Sequence, residues 1–285
     1  MRGFADHNPA VLTVYFFAVS GIAMFCMHPA VTLISLAGAL LLCLLHGGFA
    51  LKSSLFTLGL FVLLALLNPL FSHSGVTVLF VLNHNPVTLE ALIYGVFASC
   101  SMLAVLCWFR SFSRLMTRDK LLYVCGRLSP KLALVLSMAM RYVALLGTQA
   151  KQITQAQKAL GLYREDRLRD HLRVFSILLT WALENGIITA DSMAARGYGI
   201  GKRTQFAIFR FRRGDVLLLS LSLLCTALTL AGLGALDHSF YPRFTVSVHS
   251  PAAVCSLISY GILVLLPVMT EAKEAIRWHC FLSKM

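Results

Sequence analysis

The chain has 285 residues, of which 58% are hydrophobic and 13% are charged, and its mean hydropathy is +0.77. Soluble globular domains carry a charge on about a quarter of their residues, so this composition excludes that class and indicates a membrane protein. The net charge of +13 fits nucleic-acid binding only if the distribution of the basic residues along the chain allows it.

Six apolar runs are long enough, or nearly so, to cross a hydrocarbon core about 30 Å thick, which takes ~20 helical residues. In chain order they cover residues 11–27, 30–46, 54–71, 87–109, 216–236 and 252–270. Arg2 precedes the first run as in a signal peptide, but no small-residue cleavage site follows, so we interpret this run as a retained first span. Only His28 and Pro29 separate the first two short runs, which fit either a tight helical hairpin or a partly re-entrant pair.

Charged side chains are nearly absent from these runs. Glu90, near the start of the fourth run, is the only Asp, Glu, Lys or Arg within them. Because ionisable groups buried in a membrane usually mark an ion or proton path, the chain is poorly equipped to move an ion by itself. Asn68-Pro69 predicts a bend where the third run leaves the membrane rather than a ligand site. The eight cysteines include no CxxC pair, and we interpret them as small apolar residues rather than as disulfides or metal ligands.

The segment between the fourth and fifth runs is strongly basic. Residues 110–213 hold 19 of the 25 Lys and Arg residues but only 6 of the 12 Asp and Glu residues, so this segment carries the whole net charge. Cytoplasmic loops collect Lys and Arg, so the segment is predicted to be cytoplasmic, and alternation then places both termini in the cytoplasm. The predicted domains are membrane helices 1–4 in residues 1–109, a basic helical cytoplasmic domain in residues 110–213, membrane helices 5 and 6 in residues 214–270, and a cytoplasmic tail in residues 271–285.

Two stretches of the basic segment, Leu121–Leu146 and Leu172–Ile188, are rich in Leu, Val and Met with charges at helical intervals, which predicts helices. Two helices there end in an Ala-rich turn followed by glycine, at Gly161 and Gly197. Glycine in the left-handed conformation is the expected stop of a helix. Arg196 either complements the helix dipole or offers a planar fork to a carboxylate on a partner, and the tetrapeptide alone favours the first role.

At these residues the sequence resembles the EcfT/CbiQ family, the transmembrane T components of energy-coupling factor transporters. The resemblance is carried by residues 190–198, which are Ala-Asp-Ser-Met-Ala-Ala-Arg-Gly-Tyr, together with residues 68–71, 88–92, 141–143 and 156–161 in family order. It identifies a second coupling motif with an Ala-Arg-Gly end at Ala194, Ala195, Arg196 and Gly197. It also identifies a degenerate first motif at Ala156, Gln157, Lys158, Ala159, Leu160 and Gly161.

The chain departs from the family pattern at three places. Leu160 stands where the first motif normally has arginine, Ala144 stands where the family has proline, and Asn8-Pro9-Ala10 replaces Asp-Pro-Arg. These departures indicate a divergent branch in which the two coupling motifs need not make equivalent contacts.

The resemblance implies an all-α, multi-pass protein of a prokaryotic inner or plasma membrane that is not an enzyme and binds no cofactor or metal itself. The implied partners are two ABC ATPase subunits, as a homodimer or a heterodimer, which bind ATP and Mg, and an S component that captures a vitamin or a transition-metal ion. Lipid surrounds the spans, and no nucleic acid is expected. The alternative is a stand-alone permease or a membrane-embedded enzyme, which would need ionisable or nucleophilic groups at membrane depth.

Other patterns do not predict sites. Residues 197–204 resemble a phosphate-binding loop but lack the first Gly and the Ser or Thr that Walker A requires. The basic run Arg164–Arg173 has no interleaved aromatics, so we interpret it as a solvated helix near anionic lipid headgroups. Histidines of the predicted outer segments lack the spacing and the Cys or carboxylate partners of a metal site. They are His28, His73, His84, His238 and His249.

Overall fold

The computed structural model describes residues 4–45, 51–71, 75–82, 85–161, 167–201, 209, 211–242, 244–247 and 250–282. The chain forms two compact units. We call residues 1–118 and 209–285 the membrane unit and residues 119–208 the inserted unit. Arg2, Arg243 and Lys284, which entered the topology prediction, lie outside the described residues.

Six helices build the membrane unit, one for each predicted apolar run. They are α1 (Pro9–Phe25), α2 (Pro29–Leu45), α3 (Leu51–Phe71), α4 (Leu89–Leu115), α8 (Arg213–Leu233) and α9 (Pro251–Leu282). A short 3-10 turn, Phe4–Asp6, precedes α1. The prediction of an all-α, multi-pass membrane protein is confirmed.

Length and composition do not by themselves separate membrane helices from the others. Among the described helices, α4, α8 and α9 are long and apolar enough to cross a bilayer, but so are two helices of the inserted unit, Pro130–Ala159 and Leu168–Ala195. The helices α1 and α2 have 17 residues each, and α3 contains a shorter apolar stretch, Leu55–Pro69. The cytoplasmic location of the inserted unit therefore stays a prediction from charge.

The core of the membrane unit lies between α1, α2, α4, α8 and α9. The helix α1 packs on α4 and α8, whereas α2 packs on α4 and α9. Trp108 of α4 is fully buried, and its Nε1 donates a hydrogen bond of 3.0 Å to Ser35 Oγ of α2. Tyr15, Leu42 and Leu263 are also fully buried and belong to the same core. The peripheral helix α3 packs chiefly on α4 and exposes most of its apolar side chains.

Glycines mark the closest helix crossings. A Cβ on Gly38 of α2 would overlap Val264 of α9, and a Cβ on Gly232 of α8 would lie 2.5 Å from Ser256 Cβ of α9. At the crossing of α3 and α4, a Cβ on Gly95 would lie 2.8 Å from the Ala65 carbonyl oxygen. Small residues at such crossings let the backbones approach closely, which is how membrane helices gain packing energy.

Two helices continue through a proline, which cannot donate to the carbonyl four residues earlier. Pro69 of α3 leaves the Ala65 carbonyl without its helical hydrogen bond, and Gly95 of α4 lies against that carbonyl. In the same way, Pro267 of α9 leaves the Leu263 carbonyl without its helical hydrogen bond. Tyr15 OH donates a hydrogen bond of 3.0 Å to that Leu263 oxygen. Asn68-Pro69, for which the sequence predicts a bend, lies in the last turn of α3, which ends at Phe71, and packs against Gly95 of α4.

A buried carboxylate joins the beginnings of the two chain segments that form the membrane unit. Asp215, in the first turn of α8, has Oδ1 2.7 Å from His7 Nδ1 and accepts a second hydrogen bond from Asn8 N. Its Oδ2 accepts from Arg212 N at 3.0 Å, which caps α8. This clamp, His7–Asn8–Asp215, fixes the start of α1 beside the start of α8.

Two short hairpins, absent from the sequence prediction, connect membrane helices. The first pairs β1 (Val78–Leu82) with β2 (Asn85–Thr88) between α3 and α4, and the second pairs β3 (Asp237–Ser239) with β4 (Thr245–Ser247) between α8 and α9. Buried Glu90 anchors the first hairpin, because its Oε2 accepts a hydrogen bond of 2.7 Å from Thr77 Oγ1. The one charged residue of the apolar runs therefore has a structural partner.

Candidate functional site

The inserted unit contains three described helices, α5 (Arg118–Leu128), α6 (Pro130–Ala159) and α7 (Arg167–Ala195). The first of them begins one residue before the unit. The apolar stretch Leu121–Leu146 is thus not one helix but parts of two, separated at Ser129. The break has a local cause, because a residue before proline avoids the helical conformation while proline itself is favoured at the first helical position.

Tyr142 holds α6 against α7. Its hydroxyl donates to the Asn185 carbonyl oxygen at 3.1 Å and lies 2.8 Å from Thr189 Oγ1. Sequence reasoning noted Tyr142 within a family-like segment but gave it no role. A tyrosine among apolar residues of a helix is a usable signal, because a half-buried phenol usually finds a hydrogen-bond partner.

The contact at Tyr142 lies at different distances from the two glycine-terminated ends of the unit. Ala159, the last residue of α6, lies 17 residues after Tyr142, whereas Ala195, the last residue of α7, lies six residues after Thr189. With a rise of 1.5 Å per residue, the contact lies about 25 Å from the end of α6 and about 9 Å from the end of α7 along the two helix axes. We call Ala156–Gly161 the first helix end and Ser192–Tyr198 the second helix end.

The second helix end is a complete left-handed stop. Gly197 has a φ of +82°, as predicted, and its N–H donates to the Ala194 carbonyl at 3.0 Å. The Tyr198 N–H donates to the Met193 carbonyl, also at 3.0 Å. These two bonds define the Schellman motif, in which Arg196 is the C-cap residue. Arg196 is exposed, and no hydrogen bond or ion pair of its side chain occurs among the described residues.

The first helix end, as far as the structure describes it to Gly161, closes in a similar way. Gly161 has a φ of +67°, and its N–H donates to the Lys158 carbonyl at 3.1 Å. Leu160 is the C-cap residue, and its side chain is 72% exposed. Leu160 and Arg196 therefore occupy equivalent positions, and both side chains are available to a partner.

Two buried polar side chains lie within or just after the first helix end in sequence. Gln157, in the last turn of α6, is buried, and neither of its amide atoms has a hydrogen-bond partner among the described residues. Asp170, in the first turn of α7, is also buried. Its Oδ1 lies 4.0 Å from Arg173 Nη1, whereas its Oδ2 has no hydrogen-bond partner in the part of the chain that the structure describes. Burying such groups without partners costs free energy. Met193 occupies the position in the second helix end that Gln157 has in the first.

The structure places the remaining candidate residues away from any cluster of ligands. The glycine-rich segment from Gly197 follows a helix rather than a strand, and residues 202–204 lie outside the described residues. His28 is buried between α1 and α2, where its Nδ1 accepts from Ala30 N. Within the described ranges, no three His, Cys, Asp or Glu side chains come together as a metal site. His73, His84, His249 and the His238 side chain lie outside those ranges.

Comparison with known proteins identifies relatives of this arrangement. The family model CbiQ, described as cobalt transport protein, matches residues 5–207. The chain is similar to the energy-coupling factor transporter transmembrane protein EcfT of Listeria innocua, with 36% identity over 33% of this chain and 38% of that protein. It is also similar to EcfT 1 of Listeria monocytogenes, with 32% identity over 34% of this chain and 38% of that protein.

A third relative is EcfT of Lacticaseibacillus paracasei, with 36% identity over 30% of this chain and 34% of that protein. The chain thus spans less than two fifths of the length of the curated relatives it matches.

Proposed function

This chain belongs to the CbiQ family of cobalt transport proteins, and we propose that it is the transmembrane coupling subunit of an energy-coupling factor importer. In this role it links ATP hydrolysis by two partner ABC ATPases to the uptake of a vitamin or a transition-metal ion captured by an S component. The chain itself performs no chemistry, and the ATP and Mg bind to the ATPases.

The observation that carries this proposal is the pair of equivalent helix ends. Each offers an exposed C-cap side chain, Leu160 or Arg196, next to a glycine in the left-handed conformation. The glycine leaves the helix end free of a bulky side chain, so a groove on another protein can enclose it. Arg196 also brings a guanidinium, which binds carboxylates through two parallel hydrogen bonds.

The lengths of α6 and α7 support a mechanical role. They have 30 and 29 residues, which corresponds to about 45 Å each. Tyr142 ties them together near the second helix end. ATP-driven closure of the two ATPases would displace both helix ends. Because the two long helices are joined by the Tyr142 hydrogen bonds, they would transmit that displacement to the spans and hence to the S component.

Substitution of Arg196 tests the proposal. We expect Arg196→Glu to abolish co-purification of the ABC ATPases of the source genome and ATP-driven uptake in cells, because a carboxylate would repel the carboxylate that Arg196 binds. The matched control is Lys131→Glu, which makes the same charge change at an exposed position at the start of α6 and should leave both readouts near the wild-type level. Unaltered uptake with Arg196→Glu would count decisively against the assignment.

A further inference from the structure

The first hairpin presents apolar side chains to its surroundings. Thr77, the one polar residue of the segment 76–82, donates its hydroxyl to Glu90 Oε2 at 2.7 Å. Residues 72–88 contain no Asp, Glu, Lys or Arg. A natural sheet edge in water is usually protected by charged side chains, so this edge requires another kind of cover. Four apolar side chains are each more than half exposed, namely Val76, Val78, Leu79 and Val81.

Hydrogen bonds and packing fix the base of the first hairpin to the first turn of α4. The Leu89 N–H donates to the Thr77 carbonyl at 3.0 Å, next to the hydrogen bond between Thr77 and Glu90. Val87 of β2, the strand that packs on α4, is buried. A Cβ on Gly75, whose φ is +150°, would lie 2.6 Å from Glu90 Oε2. The hairpin is therefore held firmly at its base, and its four exposed apolar side chains remain for another surface.

The length of α3 places this hairpin at a boundary of the membrane. The helix has 21 residues, which corresponds to about 32 Å and is close to the hydrocarbon thickness of about 30 Å. Residues 72–77 separate α3 from β1, and β2 contacts α3 as well as α4. The hairpin therefore begins where α3 leaves the hydrocarbon. Leu66 and Phe71 in the last two turns of α3 are exposed, so the apolar side chains of the hairpin continue the lipid-facing surface of that helix.

The backbone of the hairpin limits how deep it can lie. Among the described strands, β1 pairs only with β2, so one edge of each strand has N–H and C=O groups without a partner in a sheet. Such edges do not occur in contact with lipid in the hydrocarbon core, where no water satisfies them. The apolar side chains, in turn, are disfavoured in water. The level of the lipid headgroups meets both conditions.

We therefore propose that the first hairpin is a membrane anchor that binds the lipid–water interface of the leaflet predicted to be the outer one. Its backbone lies among the headgroups, and its exposed valine and leucine side chains enter the upper acyl region. This inference rests on the membrane location of the chain and goes beyond its coupling role. The second hairpin lies beside α4 as well, since Phe244 stacks on Phe97 with ring centroids 6.1 Å apart, but it exposes the polar Thr245.

Spin labelling of the full-length chain in phospholipid vesicles tests this depth. In a background with the exposed Cys255 and Cys280 changed to serine, a nitroxide is attached to Val81→Cys, Leu63→Cys or Thr245→Cys. We expect the Val81→Cys label about 5–10 Å below the lipid phosphates, the depth at which interfacial segments bury their apolar face. Oxygen should then reach this label better than a water-soluble nickel chelate does. The label at Leu63→Cys, exposed within α3, should lie deeper, and the chelate should reach the label at Thr245→Cys.

A charge on the hairpin provides a second measurement. Leu79→Glu should shift the Val81→Cys label outward to the level of the phosphates, because an ionised carboxylate is disfavoured among acyl chains. Leu79→Ala is the matched control, because it shortens the same side chain without adding a charge, and it should leave the depth of the label unchanged. Size-exclusion profiles matching wild type establish that each variant is folded.

Three results would overturn the inference. The first is a Val81→Cys label that the nickel chelate reaches as well as it reaches the label at Thr245→Cys, which would place the hairpin in water. The second is a label that neither reagent reaches, since a protein surface rather than lipid would then cover the hairpin. The third is an unchanged depth of the label with Leu79→Glu. None of these results depends on whether ABC ATPases bind the chain, so the inference and the proposed function fail separately.

Discussion

Tyr15 places a hydroxyl where Pro267 has left a carbonyl without its helical partner. Proline has no N–H, so the Leu263 oxygen four residues earlier accepts instead from Tyr15 OH, at 3.0 Å. Tyr15 and Leu263 are both fully buried. A buried carbonyl without a partner costs about 1–3 kcal/mol, so this hydrogen bond joins α1 to α9 one turn before Pro267, at a point that water does not reach.

A double-mutant cycle measures this contact. We expect Tyr15→Phe to reduce the free energy of unfolding in detergent by about 1–3 kcal/mol, because it leaves the Leu263 oxygen unpaired. In a Pro267→Ala background the new backbone N–H can pair with that oxygen, so Tyr15→Phe should then cost much less. An equal cost in both backgrounds would show that the hydroxyl does not serve the carbonyl freed by proline.

The two glycine stops and the Arg196 position could be predicted from sequence because they depend on residues close together in the chain. A left-handed conformation after an Ala-rich turn needs only the identity of Gly161 and Gly197. The contacts of Tyr15 and Tyr142 join distant segments. Periodicity marks these tyrosines as helical but does not say which carbonyl each will meet.

At the scale of the elements, the six apolar runs predict the six membrane helices because a hydrocarbon core requires long apolar helices. The helix ends differ from the ends of the apolar runs, because capping residues rather than hydrophobicity set where a helix stops. The helix α4 continues to Leu115 and α8 begins at Arg213, so both extend into the basic segment. The hairpins of 78–88 and 237–247 were missed. Their strands have three to five residues, too few for an alternating pattern to stand out beside the apolar runs.

Helix crossings depend on single glycines, which gives a matched pair of variants. Gly95→Ala should destabilise the packing of α3 on α4, because the new Cβ would lie 2.8 Å from the Ala65 oxygen and 3.1 Å from Asn68 Cβ. Gly59→Ala is the control, because nothing lies within 4 Å of its Cβ position on α3. It should be neutral or stabilising, since alanine favours a helix by roughly 1 kcal/mol over glycine.

Thermal unfolding of the two purified variants in detergent distinguishes them. The expected order of midpoints is Gly95→Ala below wild type, with Gly59→Ala at or above it. A Gly95→Ala midpoint equal to that of wild type would mean that α3 can move away from α4 without loss of stability. The last turn of α3, around Pro69, would then not contribute to the packing.

At the scale of the whole molecule, the orientation in the membrane follows from charge alone and calls for a direct measurement. With the inserted unit in the cytoplasm, Thr245 of the second hairpin falls outside and Lys273 near the end of α9 falls inside. Both residues are exposed. In a background with Cys255 and Cys280 changed to serine, since these two are exposed as well, Thr245→Cys should react with a membrane-impermeant maleimide in intact cells.

Lys273→Cys should react only after the membrane is permeabilised. Labelling of Lys273→Cys alone from outside would reverse the topology and place the basic segment on the wrong side for ATPase partners. Labelling of both positions from outside would mean that α9 does not cross the membrane. The other six native cysteines are buried or half-buried, so their background labelling should be low.

The His7–Asn8–Asp215 clamp has a consequence for biogenesis. The residues that it joins are separated by 207 and 208 positions, so the first helix leaves the ribosome long before its partner carboxylate is synthesised. Until α8 is inserted, α1 lacks the helix that covers one of its faces, and His7 lacks the Asp215 carboxylate with which it pairs. Final assembly of the membrane unit must therefore follow translation of the inserted unit, and a chain that stalls within that unit presents an unfinished α1 to the membrane proteases that remove incomplete products.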